Sequence, residues 1–354
     1  MNRLVLIGNG FDLAHNLKTK YCDFVLFYLC ESINNAFSKK KHSDPLLTIE
    51  CVSLYPQQYS WSVITPEMVL QKFESLKQND DFHVTIHSDL LKSTLDKLDK
   101  LNWVDLEDEY FNKLLKCRII SSFDKAKVDK LNNEFSFLKK RLQFYLKKVQ
   151  EESTGVLIDN YKDLFYQYIN PNEILLDNLY KAELPNKILF LSFNYTNTVE
   201  KYIKPNSSNI LSEVNYIHGQ VENTLDSIIF GFGDEFNKEY LSFEDVMQNE
   251  LFTFVKSFGY SKSDNYWKLI RFLQEDKYQV YILGHSLGLT DRTMLKEIFE
   301  HEKCVSIKIF YWNKGNGQHD HTEKMYDMSR HFTDKGSMRK KVVPFNMSKP
   351  MPQL

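Results

Sequence analysis

Arg3-Leu-Val-Leu-Ile-Gly-Asn-Gly-Phe-Asp12 is the stretch from which the fold can be read. Leu4 to Ile7 form a short apolar run that stops on Gly8-Asn9-Gly10, and a helical pattern follows. A buried strand that ends on glycines and feeds a helix is the usual start of a nucleotide-binding α/β unit. Glycine lets a phosphate or ribose approach the backbone, and the helix N-terminus carries partial positive charge. The full G-x-G-x-x-G pattern is absent, because Leu13 stands where the third glycine would be. A plain strand-to-helix turn is therefore the competing reading.

The same pattern recurs further along. The chain has only 12 glycines in 354 residues, about half the usual ~7% share. Seven of them fall at Gly8/Gly10, Gly219, Gly231/Gly233 and Gly284/Gly288, each group after an apolar run. Parallel strands ending at one crevice give such a pattern. Strands are expected at Ile188–Phe193, Val214–Ile217, Ser227–Phe230, Gln279–Leu283 and Val305–Tyr311, with a helix at Asp291–Glu300 capped by Thr290 or Asp291. A helix is expected from about Asp12 to Cys30, then a polar, irregular stretch over 31–62, then an almost wholly helical block from Thr65 to Ala182. Within that block Leu131, Phe135, Leu138, Leu142, Tyr145 and Val149 recur at helical spacing. The expected architecture is α/β, a Rossmann-like mostly parallel sheet with a large helical insertion. Residues 1–30 and 186–312 would form the core, 31–185 the insertion and 313–354 a C-terminal tail.

Bulk properties exclude several classes. The net charge of -2 offers no field to hold nucleic acid or an anionic membrane. No apolar run reaches the ~18 residues that span a bilayer. Five scattered cysteines without a C-x-x-C pair fit a reduced, cytoplasmic protein and no structural zinc. His319-Asp-His321 reads as a polar loop, so no metal ligands are assigned.

Polar residues at the strand ends are the candidates for chemistry. Asn194, Tyr195 and Thr196 follow one strand; Asn194 could orient a ribose hydroxyl or a water, and a helix cap is the bland alternative. His218-Gly219 ends the next, and histidine suits a general base. Gly231 and Gly233 lead into Asp234 and Glu235. Gly284-His-Ser-Leu-Gly288 matches the G-x-S-x-G elbow of α/β-hydrolases, which would make Ser286 a nucleophile. Only 68 residues follow Ser286, too few for the strands that would carry the acid and base, so a nucleotide loop with Ser286 and Asp291 as polar contacts is preferred.

Taken in order, Leu6-Ile-Gly-Asn-Gly-Phe-Asp-Leu-Ala14, Trp103-Val-Asp-Leu-Glu107, Phe193-Asn-Tyr-Thr196, Ile217-His-Gly219, Ile229-Phe-Gly231 and Leu283-Gly-His-Ser-Leu-Gly288 with Asp291 resemble the AbiH family of bacterial abortive-infection proteins. That resemblance implies defence against phage, with a phage-protein trigger or a partner defence protein and with self-association left open. The order of motifs is also similar to sirtuin-like NAD-binding domains. By that similarity Asn194 and His218 match the catalytic asparagine and histidine. Gly8, Asn9, Gly10 and Phe11 would line the dinucleotide, and Ser286 and Asp291 its adenosine side. Thr196 departs from the acid that often follows the asparagine, and the zinc cysteines of protein deacylases are missing. The similarity thus implies cleavage of the nicotinamide–ribose bond of NAD, with no further cofactor. Asn194 would hold water or ribose, His218 would take a proton and Asp12 would stabilise the cationic sugar. The alternatives are a non-catalytic nucleotide sensor and a Ser286 hydrolase.

Overall fold

A computed structural model describes residues 1–52, 68–98, 103–119, 122–153, 155–176, 181–203, 210–222, 228–246 and 248–354. The chain divides into two compact units. One is Met1–Lys18 with Leu146–Val246 and Phe254–Leu354; the other is Thr19–Tyr145 with Met247–Thr253.

The first unit is built on a six-stranded sheet: β1 (Asn2–Ile7), β2 (Lys187–Ser192), β3 (Leu211–Tyr216), β4 (Tyr278–Leu283), β5 (Cys304–Tyr311) and β6 (Lys349–Pro350). Every pairing is parallel, and the spatial order is β6-β5-β4-β1-β2-β3. Read from the other edge this is 3-2-1-4-5-6, the order of doubly wound dinucleotide-binding sheets. β1 and β4 are buried along their whole length, as a central parallel strand must be when helices cover both faces.

Alternation along the strands sorts side chains to two cores. Leu4, Leu6, Leu191, Phe193 and Ile217 join the apolar faces of α2 (Asn265–Glu275) and α3 (Arg292–Glu300). Val5, Ile7 and Phe190 join Phe11 and Ala14 of α1 (Asn9–Ala14), with Tyr161, Phe165 and Tyr202. The β4-to-β5 helix thus covers one face and α1 the other, so the winding direction switches between β1 and β4. Ligands of such sheets bind beyond the carboxyl ends of the strands at that switch.

The expected α/β architecture holds, with corrections at the level of elements. The helix expected over Asp12–Cys30 is broken: α1 ends at Ala14, Asn16 takes a left-handed conformation (φ 58°), and a new helix runs Tyr21–Lys39. Asparagine tolerates that conformation, so the apolar periodicity passed over the break. Ile228–Phe230 form no strand, and Ser227 lies outside the described residues. The tail beyond 313 belongs to the core: it supplies β6, and Met328 and Met338 from its helices are buried in the face that carries Phe193. Residues 146–185 also belong with the sheet and 19–30 with the second unit, unlike the expected boundaries.

The second unit is not purely helical. Lys41–Ser43, Leu47–Cys51 and Phe82–Ile86 pair as an antiparallel sheet. The last alternates a buried Phe82 with exposed His83 and Thr85, a period-two signal too short to stand out in a helical block. Its long helix, Lys125–Glu152, carries the expected apolar repeat and ends in the first unit. Glu107 is buried on the helix Trp103–Cys117, while the side chains of Trp103, Val104 and Asp105 lie outside those described. Among the described residues no helix is long and apolar enough to cross a membrane.

Candidate functional site

The glycines at the switch point meet one another. Gly8 N–H donates to the Leu283 carbonyl at 3.0 Å, Gly10 N–H to the Gly284 carbonyl at 2.9 Å, and Phe11 N–H to the Gly8 carbonyl at 2.8 Å. A Cβ on Gly8 would lie 2.4 Å from His285 Cα, and one on Gly10 2.7 Å from Gly284 Cα. Gly284 adopts φ 69°, the left-handed region open to glycine. These residues let the loops after β1 and β4 touch backbone to backbone. The N–H groups of Gly8, Gly10 and Phe11 are thus engaged within the protein, where the expected reading had this turn facing a phosphate. Phe11 is buried at 0% exposure among His15, Tyr161 and Tyr202; its ring belongs to the core and not to a ligand wall. Asn9 is half-buried beside them.

Two buried polar clusters flank this contact. In the first, the Asn194 amide nitrogen donates to the Gly8 carbonyl at 3.0 Å, and Thr196 donates to Asp12 Oδ2 at 2.6 Å. Asp12 Oδ1 is buried with no hydrogen-bond partner among the described residues. Burial raises the Asp12 carboxyl to about 6, although Thr196, Thr198 and Asn194 oppose the shift. Asn194 and Asp12 thus sit together, and both brace the first turn.

The second cluster gathers residues from four segments. His218 leaves the end of β3, His285 the end of β4, Asp291 precedes α3, and Lys256 comes from the stretch between β3 and β4. Asp291 Oδ1 accepts from Lys256 Nζ at 2.9 Å and lies 3.2 Å from His218 Nε2, and its Oδ2 is 3.8 Å from His285 Nε2. All four side chains are buried. Asp291 stands at the N-cap of α3 without capping it, because its carboxylate is committed here. Burial opposes its charge, yet Lys256 and His218 hold its carboxyl far below the ordinary range. Burial and the Lys256 ammonium lower His218 by more than Asp291 raises it, so this imidazole is neutral near pH 7. Burial pushes His285 down to about 3. Leu287 N–H donates to His285 Nδ1 at 2.9 Å, which fixes the tautomer with the proton on Nε2, toward Asp291.

Beside this cluster opens a cavity of about 270 Å³, whose lining includes Tyr260, Tyr266 and Trp267 together with Gly233, Glu235 and Asp291. That is close to the lower end of the ~300–1,000 Å³ common for small-molecule sites, enough for one ring and its sugar. Tyr260 and Tyr266 stack at 5.6 Å between centroids. The Tyr260 hydroxyl meets His218 Nε2 at 3.1 Å.

The expected residues therefore divide. Asp291 lines the cavity and His218 joins it through Tyr260. Asn194, Asp12 and Thr196 are tied to the first turn and are not among the residues that line the cavity, and the Phe193 ring packs 5.3 Å from His218 and 4.2 Å from His285. Tyr195 donates to the Ile229 carbonyl at 3.0 Å and its ring lies 6.3 Å from His218. Gly219 closes a turn onto Tyr216, and Gly231 packs on the Phe254 backbone. Ser286 is exposed; the positive φ values of its loop fall on Gly284 and Leu287 and not on Ser286, and the α-helix starts only at Arg292, so the geometry of a nucleophile elbow is missing. Lys256, Tyr260, His285 and the aromatic wall were not singled out from sequence. His285 was visible inside Gly-His-Ser, but Lys256 and Tyr260 lie in an aromatic-rich helical stretch without a motif.

The model of the family described as Bacteriophage abortive infection AbiH matches residues 4–312. No curated protein matches the chain.

Proposed function

The chain belongs to the AbiH family of bacteriophage abortive infection, a role in phage defence, and from that premise we propose that it acts by binding NAD at the strand ends and cleaving the nicotinamide–ribose bond. The observation that carries this reading is the aromatic cavity lined in part by Asp291, with His218 paired to Asp291 outside the lining. Tyr260, Tyr266 and Trp267 offer flat faces to a planar heterocycle, and Glu235 offers a carboxylate to ribose hydroxyls or a positively charged ring. The strand order 3-2-1-4-5-6 supports a dinucleotide.

In this reaction the bond from ribose to the nicotinamide nitrogen breaks and its electrons leave with nicotinamide. Water adds to the cationic sugar and releases one proton, and ADP-ribose results. A neutral His218 is the acceptor for that proton, and Asp291 stabilises the imidazolium that forms. Asn194 and Asp12 hold the turn that places the β1 and β4 loops. A phage component or a partner defence protein would start the reaction in the infected cell.

The test is release of free nicotinamide from NAD by purified protein. His218→Ala is expected to lower turnover by about 10²–10⁴-fold, with Asn194→Ala acting chiefly on stability. NAD left intact by wild-type protein in the presence of lysate from phage-infected cells would count against the reading.

One observation favours a second reading. His218 is only 4% exposed and stands behind Tyr260. A site that holds a nucleotide without cleaving it, as a sensor in phage defence, needs no more access than this. A nucleotide that co-purifies and survives prolonged incubation would support the sensor.

A further inference from the structure

His218 faces the cavity only through another residue. Its ring has the Phe193 ring at one edge, perpendicular at 5.3 Å, and the Tyr260 ring stacked nearly parallel at 6.1 Å. Its Nε2 meets two oxygens, Tyr260 Oη at 3.1 Å and Asp291 Oδ1 at 3.2 Å. His218 is not among the residues that line the cavity, whereas Tyr260 is. The Tyr260 ring is half-buried, held between Tyr266 and His218, so its hydroxyl is fixed in place.

Resting on the nucleotide reading of this cavity, we propose that Tyr260 is the catalytic residue that touches the ligand, and that His218, Asp291 and Lys256 act through it. The step is a two-proton relay. The attacking water, or a ribose hydroxyl, gives its proton to Tyr260 Oη as Tyr260 gives its own to His218 Nε2. The phenol is neutral before and after. His218 leaves the step as an imidazolium, with the new proton between Tyr260 Oη and Asp291 Oδ1. Lys256 keeps Asp291 ionised in advance, so the negative partner is in place when the imidazole charges. His218 thereby reacts without opening to solvent.

Tyr260→Phe removes the hydroxyl and keeps both ring stacks, so the fold is expected to persist. With NAD as the probe, Tyr260→Phe should lose on the order of 10² or more in kcat with KM near the wild-type value. His218→Asn should lose a similar amount, and the double variant no more than the worse single, because groups in series are not additive. Wild-type turnover in Tyr260→Phe alongside loss in His218→Asn would overturn the relay. A second measurement reads the relay without turnover. In protein labelled with ¹⁵N-histidine, the His218 Nε2 resonance, assigned by its absence in His218→Asn, should move toward the free-base position in Tyr260→Phe. An unmoved resonance overturns the relay. Should wild-type protein release no nicotinamide, the NAD reading falls and the nitrogen spectra alone decide.

Discussion

Lys256 Nζ lies 2.9 Å from Asp291 Oδ1, and both side chains are almost wholly enclosed by protein. Two charges so far from water are tolerable only as a pair. Removing one partner of a buried pair commonly costs about 3–5 kcal/mol, because the other remains charged and alone. We expect Lys256→Met to destabilise the protein by that order in urea titrations, and Lys256→Met with Asp291→Asn to recover much of it. Lys256 also lowers His218, so the variant's imidazole should titrate at higher pH. Wild-type stability in the single variant would show that the pair is not coupled to the fold.

His285 sets an acid limit. The unfolded imidazole takes its proton near 6.5, while the folded one, buried against Asp291 and Leu287, refuses it down to about 3. The folded pKa lies below the unfolded one, so stability is fully present above about 6.5 and drains as pH falls toward 3. The slope from one such group is about 1.4 kcal/mol per pH unit, and the lowered His218 adds to it. Thermal melts from pH 7.5 to 4.5 should fall steeply for wild type and less steeply for His285→Asn. Parallel curves would rule out His285 as the source.

Asp12 works in the opposite direction. Its carboxyl is raised from 3.8 to about 6, so the folded state holds a proton that the unfolded chain releases between those values. Stability from this group is present below about 4 and lost as pH rises through 6. At pH 8 the buried charge is a burden, and Asp12→Asn, which can still accept from Thr196, should stabilise by on the order of 1–3 kcal/mol. The gain should vanish at pH 4. A less stable Asp12→Asn at pH 8 would mean that the charge has a partner the fold requires.

Gly8 tests the closed switch point. Its backbone is extended (φ -120°), so alanine meets no conformational penalty there, only the backbone of Gly284 and His285, with His285 Cα at 2.4 Å. Two backbones must part to admit one methyl group. We expect Gly8→Ala to lower stability by about 3 kcal/mol or more, measured by chemical denaturation. A neutral substitution would mean that the β1 and β4 loops are not in contact.

Much of the sheet was legible in the sequence because apolar runs of four to six residues between polar breaks leave little choice. β1, β2, β4 and β5 appear within a residue or two of the expected positions. β6 was not, since Lys349–Pro350 is too short to carry a pattern. The glycines did mark loops that come together, but their spacing does not say what each approaches. At Gly8 and Gly284 the neighbour is another backbone. The site was half legible. His218 and Asp291 stood out by their place after strands, and they lie 3.2 Å apart. Lys256 became a partner of Asp291 only through folding across 35 residues, a relation that no local periodicity records.

The centre of the sheet is also its oldest part in synthesis. β1 is translated long before β2, which supplies one neighbour, and β4, which supplies the other. From Ile7 to Leu283 is 283 − 7 = 276 residues, roughly 14–55 s on the ribosome at about 5–20 residues per second. During that interval a strand with the apolar run Leu4–Ile7 waits with at least one edge uncovered, a hazard for mispairing that nascent-chain chaperones would have to cover for this protein to be produced in quantity.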